Sequence, residues 1–315
     1  MTEMVRLDRL AKRFGPVHAV EEVSFTAARG EVLGFLGPNG AGKSTTMRML
    51  TGFITPSAGS AEVMGFDVVR QPIEVKRRIG YLPEGAPLYG DMTALDFLQF
   101  VAAMRGLEGE EGKRRIDAAI GRTQLDEALH RPIETLSKGF KRRVGLAQAI
   151  MHDPPVLVLD EPTDGLDPNQ KHGVRKLIAE MADEKAIVIS THILEEVEAI
   201  CTRAVIIARG RVVADARPDE LKRRSRHYNA VRLTANANLL PKLQPMLDDL
   251  PGARAVERLG AVNGVASLLV VPEDGRPIVH DVGELVRRSG LEVDEIVVEQ
   301  GRLDDVFRDL TSGAH

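Results

Sequence analysis

The chain has 315 residues, 43% of them apolar and 28% charged, with a formal net charge of −4. That length accommodates two domains and a full hydrophobic core, and the charge excludes a general nucleic-acid binder, since neither half is strongly basic. One cysteine, Cys201, rules out an internal disulfide, fits a reducing compartment and reads as a small buried side chain.

The amino terminus MTEMVRLDRLAKRF carries an early acid and no apolar core segment, so it does not read as a secretory leader. The longest apolar runs, such as AVIIA at 204–208, fall well short of the ~20 residues that span a bilayer. The expectation is a cytoplasmic protein that meets a membrane only through a partner or a surface contact.

From the start to about Asp215, short β-rich runs alternate with helical runs, which predicts an α/β domain with a largely parallel sheet. EVLGFLG (31–37) reads as a strand entering a glycine turn, and KSTTMRMLTG (43–52) as a helix that stops at Gly52. The stretch between them, GPNGAGKST, fits G-x-x-x-x-G-K-[ST] through Gly37, Gly42, Lys43 and Ser44. Four fixed positions match by chance about once per hundred chains of this length, and the strand-to-helix context makes chance rarer still. Such a loop, here Gly37-Pro38-Asn39-Gly40-Ala41-Gly42, presents the N–H groups of Asn39 through Thr45 to phosphates. Lys43 then reaches the β- and γ-oxygens, and Ser44 holds Mg2+.

Between about 87 and 150 the strand signal vanishes. DMTALDFLQFVAAMRG predicts a helix capped by Thr93, a second charged helix follows near 112–129, and a helical insertion into the α/β core accounts for both. The apolar stretch GAPLYGDMTALDF (85–97) is either helix core or a docking surface for a partner. LSKGFKRR (136–143) then places Lys138, Lys141, Arg142 and Arg143 at a helix start, where each exposed cation is disfavoured by about 0.3–1 kcal/mol. Either their long side chains reach into water, or an anion docks on this helix end through Ser137 and the N–H of Gly139.

VLVLD (156–160) and AIVIS (186–190) are continuous apolar runs of the kind buried on both faces of a sheet. Ligands of such sheets bind at the carboxyl ends of the strands, so Asp160 suits a Mg2+ role and Glu161 is placed to polarise an attacking water. His192 emerges after the second run, positioned for a γ-phosphate contact. PDELKRRSRHYN (218–229) reads as a polar, basic linker. Beyond it the pattern is β-α-β-β-α-β, a ferredoxin-like order with a final helix through LDDVFRDL, and residues 227–315 carry a net charge of −5.

In this order and spacing, GPNGAGKST, LSKGFKRRVGLAQA, VLVLDEPTDGLDP and STH resemble the ATP-binding subunit of an ABC transporter. The resemblance covers about 1–220 and implies a P-loop NTPase core with the helical insertion at about 87–150, leaving 228–315 as a small α+β accessory domain. It implies ATP and Mg2+ as cofactors and catalysis by Lys43, Glu161 and His192. Phe14 would stack on adenine, and Asp167 would belong to the D-loop. Glu84 stands where the family usually has the Q-loop glutamine; grouped with Ser44 and Asp160 at the metal, it offers only acceptors where an amide could also donate.

LSKGF resembles the signature usually written LSGGQ, with Lys138 for the first glycine and Phe140 for the glutamine. In that family the signature of one subunit faces the γ-phosphate held by the phosphate loop of the other, so Ser137 and the N–H of Gly139 would act in trans, with Lys138 as a further candidate. Lys141 to Arg143 would then supply a diffuse field or surface contacts. The departures and the trailing domain resemble the subgroup serving ABC-2 type exporters, including multidrug and gliding-motility systems. The implied partners are a second copy of the chain and an integral membrane permease, with the subunit peripheral on the cytoplasmic face and no nucleic acid bound. A soluble ABC ATPase acting on nucleic acid or ribosomes is the competing class, usually with coiled-coil insertions or two ATPase units in one chain, and this sequence has neither. A catalytically silent scaffold is opposed by Lys43, Asp160, Glu161 and His192 together. The cargo is not written in the chain.

Overall fold

The structure, a computed structural model, describes residues 2–85, 88–262 and 264–312. It divides into two compact units, the first ending at Ala216 and the second beginning at Arg217. In the first unit, β1 (Glu3–Phe14) and β2 (Val17–Ala28) form an antiparallel hairpin, and β3 (Val32–Leu36) is buried at every residue. The chain then passes through α1 (Lys43–Leu50), β4 (Ala58–Val63), β5 (Phe66–Asp67), α2 (Pro72–Arg78) and β6 (Ile79–Leu82). Three helices follow, α3 (Ala94–Met104), α4 (Gly109–Thr123) and α5 (Lys138–Ile150). The α/β pattern returns with β7 (Val156–Asp160), α6 (Pro168–Ala182), β8 (Ala186–Thr191), α7 (Leu194–Ile200), β9 (Arg203–Ala208) and β10 (Arg211–Ala216).

Where the apolar pattern predicts one largely parallel sheet, the unit contains two. One has the order β10-β9-β3-β8-β7-β6, parallel except for β10, and the other is the antiparallel β2-β1-β4-β5. β1 and β2 bury alternate side chains and expose the rest, the mark of a sheet covered on one face only. Phe25 of β2 meets Phe35 of β3 with ring centroids 5.4 Å apart, inside a core that also takes Met47 and Leu50 of α1. Helix α1 is thereby held between the sheets, and its amino end faces the carboxyl end of the parallel sheet. Cys201 is buried against Gly34, where an added Cβ would lie 2.8 Å from its Sγ, and burial pushes the thiol up to about 12.

The helical insertion is present as expected. Thr93 caps α3 by accepting from the Asp96 N–H at 3.1 Å, and the second helix starts earlier than the charge pattern suggests, at Gly109. Helix α5 lies close on β6 because residue 80 is glycine: a Cβ there would collide with the Ala149 carbonyl and with Pro154.

The second unit comprises α8 (Pro218–Lys222), β11 (Tyr228–Asn236), α9 (Leu240–Asp248), β12 (Ala253–Val262), β13 (Val265–Pro272), α10 (Val279–Ser289), β14 (Glu295–Gln300) and α11 (Leu303–Ser312). Its antiparallel order β12-β13-β11-β14 is that of a ferredoxin-like sheet, with Leu233, Leu268 and Val270 packed against Leu243, Leu247 and Val282 of the helices. The stretch 218–229 is not the linker its polarity suggests. It holds α8, and Ser225 and His227 are buried, His227 Nδ1 lying 2.6 Å from Asp305 Oδ2 on α11, while Asp219, Glu220, Arg223, Arg224 and Arg226 stay exposed.

Gly80→Ala should destabilise the first unit by about 1–3 kcal/mol through forced separation of α5 from β6, seen as a lowered urea midpoint at unchanged slope.

Candidate active site

The loop after β3 is shaped by close approaches. Gly42, the N-cap of α1, has φ 106°, and a Cβ there would lie 2.6 Å from the Ala19 carbonyl. The first-turn N–H groups of Lys43, Ser44 and Thr45 have no partner within the helix by position, and the helix end carries roughly +0.5 of a charge. These residues, with Ala19, Asn39, Gly40, Gly42, Glu84 and Glu161, line a cavity of about 260 Å3. An anion with several oxygens is the natural occupant of such a concavity. Lys43 is buried, its Nζ donating to the Gly37 carbonyl at 2.7 Å and the Pro38 carbonyl at 3.3 Å. Burial pulls its pKa below the ordinary lysine value, opposed by Glu161, which lies 3.8 Å away, and by Asp160 and Glu84.

The carboxylates come from neighbouring strand ends. Asp160 is fully buried, and its Oδ1 accepts from the hydroxyls of Ser190 and, at 3.4 Å, Ser44. Ser44 Oγ also lies 3.3 Å from Glu84 Oε2, so this hydroxyl stands between two carboxylates. Glu161 adopts a left-handed φ of 51°, a conformation that disfavours a residue with a Cβ, and its N–H is held by the Ser190 carbonyl at 3.0 Å. Its Oε1 is 2.9 Å from His192 Nδ1. Asp160 Oδ2 and Glu161 Oε2 have no hydrogen-bond partner among the described residues.

This donor set fits Mg2+: all ligands are hard oxygens, and Asp160 keeps an acceptor unused. Among the described residues no group of three or more His, Cys, Asp or Glu could hold a metal alone. A cation here would therefore draw the rest of its shell from phosphate and water.

The structure thus brings Lys43, Ser44, Glu84, Asp160, Glu161 and His192 together, and leaves others apart. Phe14 stands half-exposed at the tip of β1, with Lys12 Nζ 5.1 Å from its ring centroid; the strand paired with it supplies Ala19 to the cavity. Asp167 caps α6, accepting from the Gln170 N–H at 2.9 Å, and is not among the cavity's lining residues. Ser137 caps α5 by accepting from the Phe140 N–H at 3.3 Å, and Gly139 packs against the Gln170 side chain. Neither lines the phosphate-loop cavity of its own chain.

The basic run divides by direction. Lys138 pairs with Asp164 at 2.8 Å, Lys141 donates to the Glu134 carbonyl at 2.9 Å, and Arg143 donates to the Gln124 carbonyl at 3.2 Å. Arg142 contradicts the expectation of a diffuse or surface role: it is buried, donating to the backbone carbonyls of Pro83, Asp160 and Glu161. The signal was its spacing, since Gly139, Arg142, Leu146 and Ala149 lie at helical intervals on the buried face of α5. Ser190 was also missed, although it ends an apolar run as the parallel partner of Asp160.

The Lys138 hydrogen bond holds the Asp164 carboxyl below the usual aspartate range. A depressed carboxyl pKa stabilises the fold above its unfolded value and loses that contribution as pH falls through the folded one. Lys138→Met should therefore raise the Asp164 pKa toward its ordinary value in an NMR titration, while changing stability near neutrality by less than about 1 kcal/mol because the pair is exposed.

Residues 20–164 match the protein family described as ABC transporter. The chain is 41% identical over 216 residues to the ABC transporter ATP-binding protein NatA of Bacillus subtilis (strain 168), covering 67% of this chain and 88% of that protein. It is 32% identical over 311 residues to the Nod factor export ATP-binding protein I of Ralstonia nicotianae (strain ATCC BAA-1114 / GMI1000), covering 98% and 94% respectively. A solved structure described as an ATP binding subunit of an ABC transporter superposes with a TM-score of 0.65 at 32% identity, over 70% of this chain and 92% of that one. With these likenesses added to the phosphate loop and the carboxylates facing it, the chain belongs to the ABC transporter family and is an ATPase of that family.

Proposed function

We propose that this ATPase is the motor subunit of an ABC-2 type exporter, in which two copies close head to tail on ATP, separate after hydrolysis, and so drive a separate integral membrane permease from the cytoplasmic face. The observation that carries this function is that Lys43, Ser44 and Glu161 line one cavity, with Asp160 bonded to Ser44 and His192 to Glu161 beside it, while Ser137 and Gly139 of the same chain neither line that cavity nor bond to these residues. A signature that is structurally complete but does not line its own phosphate site is suited to a phosphate held by a second copy. The Nod factor export relative spans both units of this chain, which supports an export role.

In this mechanism the α1 amides and Lys43 bind the β- and γ-phosphates, and Phe14 stacks on the adenine. Ser44, Asp160 and Glu84 would hold Mg2+, which when bound neutralises charge on the phosphate oxygens. Glu161 accepts a proton from the attacking water. His192, 2.9 Å from Glu161, fixes that carboxylate and contacts the γ-phosphate. Glu84 cannot donate a hydrogen bond as an amide can, which favours a cation-facing role for it.

Among the described residues no helix is long and apolar enough to cross a membrane, and we assign the membrane path to the permease. Its docking site is the groove of about 1020 Å3 lined by Phe53, Ile73, Tyr81, Phe100 and Met104, of which Met104 is 73% exposed. Tyr89, from the stretch 85–97 expected to dock, packs edge-on to Phe100 with centroids 5.7 Å apart and so extends that surface; Ala86 and Pro87 lie outside the described residues.

Glu161→Gln should bind ATP as the natural protein does and lose about 10²–10⁴-fold in turnover, measured as phosphate release beside equilibrium binding of a fluorescent nucleotide. Wild-type turnover would remove Glu161 from its role. The trans arrangement is tested by mixing two inactive proteins, Lys43→Ala and Ser137→Arg. A head-to-tail mixed dimer contains one site with both defects and one with neither, so ATP-dependent association or partial hydrolysis should reappear. Absence of rescue in a sample shown to contain mixed dimers, with one intact site shown to suffice, would refute it.

A further inference from the structure

Arg142 is a buried guanidinium with no carboxylate within salt-bridge distance among the described residues. Burial pulls its pKa below the ordinary arginine value, and a charge held in this way is costly unless its donors are matched. Its two terminal nitrogens are matched by backbone, Nη1 donating to the Pro83 carbonyl at 2.8 Å and Nη2 to the carbonyls of Asp160 and Glu161, while Nε has no partner among the described residues and the nearby carboxylates of Asp160, Asp164, Glu161 and Glu84 offset the charge at longer range. The choice of carbonyls is specific. Asp160 and Glu161 are the two carboxylate residues at the end of β7, and Pro83 immediately precedes Glu84 at the end of the parallel neighbour β6.

Glu161 needs such support. Its left-handed φ of 51° is disfavoured, and its peptide groups are tied on both sides, the N–H to Ser190 on β8 and the C=O to Arg142 on α5. A planar fork of fixed geometry holds two strand ends at one relative height in a way that a lysine point charge cannot reproduce in full. Arg142 also lies little more than one turn along the helix that Ser137 caps. The carboxylates are therefore attached to the same rigid element that presents LSKGF.

We propose that Arg142 is a positioning residue for ATP hydrolysis: acting through the backbone, it aims Glu161 and Glu84 at the cavity and links them to the position of the signature helix. This rests on Glu161 being the residue that polarises water. Among the described residues Arg142 makes no hydrogen bond or ion pair to the phosphate loop, so its removal should affect the chemical step and spare nucleotide binding.

The test uses the full chain with Arg142→Met, which keeps length and apolar volume but donates nothing, together with Arg142→Lys and Glu161→Gln. Arg142→Met should lower kcat by about tenfold or more while its ATP affinity stays within about threefold, the pattern of an interaction felt in the transition state. Arg142→Lys should recover part of the loss, because an ammonium can reach some of the carbonyls. Wild-type kcat for Arg142→Met beside an inactive Glu161→Gln would overturn the proposal and leave the role of Glu161 standing. A fall in ATP affinity matching the fall in kcat would also overturn it, since that marks general loosening of the fold. Wild-type turnover by Glu161→Gln would instead overturn the premise, and the proposal with it. If Arg142→Met does not fold, Arg142→Gln, whose amide donates two hydrogen bonds, decides by the same split: reduced kcat at unchanged affinity supports the role, and wild-type kcat refutes it.

Discussion

The site depends on one strand. β8 pairs in parallel with β3 on one side and β7 on the other, so that Leu36 lies beside Thr191 and Asp160 beside Ser190. Register in a parallel sheet is set by backbone hydrogen bonds along the whole ladder, and a slip of one residue would turn every side chain to the opposite face. With the ladder in place, the phosphate loop, the two carboxylates and His192 all emerge at one level. Each strand contributes a local motif, and the pairing of β8 makes them a single site.

The cavity that results concentrates buried charge. Lys43, Asp160, Glu161 and Arg142 are all withdrawn from water, and each is tolerated because another group answers it. Lys43 turns to loop carbonyls and Glu161, Asp160 to two hydroxyls, and Arg142 to three peptide oxygens. Low dielectric makes such groups costly when unpaired and effective when they face a ligand of opposite sign. The oxygens of Asp160 and Glu161 that lack a partner among the described residues are those with capacity for a cation or a water.

Helix α5 joins two features of opposite orientation. Its start carries Ser137, the exposed capping residue, with Lys138 anchored to Asp164; its buried face carries Arg142 beneath the carboxylate pair. The Lys138 link is exposed and worth little to stability, whereas the Arg142 link is buried and tied to peptide groups that cannot turn to water. Gly80 permits this helix to lie close enough on β6 for the second contact to form.

What the sequence by itself determined were the elements whose signals are local. The glycine and lysine spacing of the phosphate loop, the continuous apolar runs of β3, β7 and β8, the Thr93 cap and the ferredoxin-like order of the second unit are each contained within a few to a few tens of residues. The resemblance carried by four motifs extended that to the family. Only the tertiary structure decided that the first unit has a separate antiparallel sheet, that 218–229 folds into the second unit, that Asp167 caps a helix, and that Arg142 is turned inward. The physical reason is distance along the chain. Ser44 meets Asp160 across 116 positions, and Arg142 meets Pro83 across 59. Helical and strand periods specify which face of an element is buried; what that face meets is settled by packing among elements far apart in sequence.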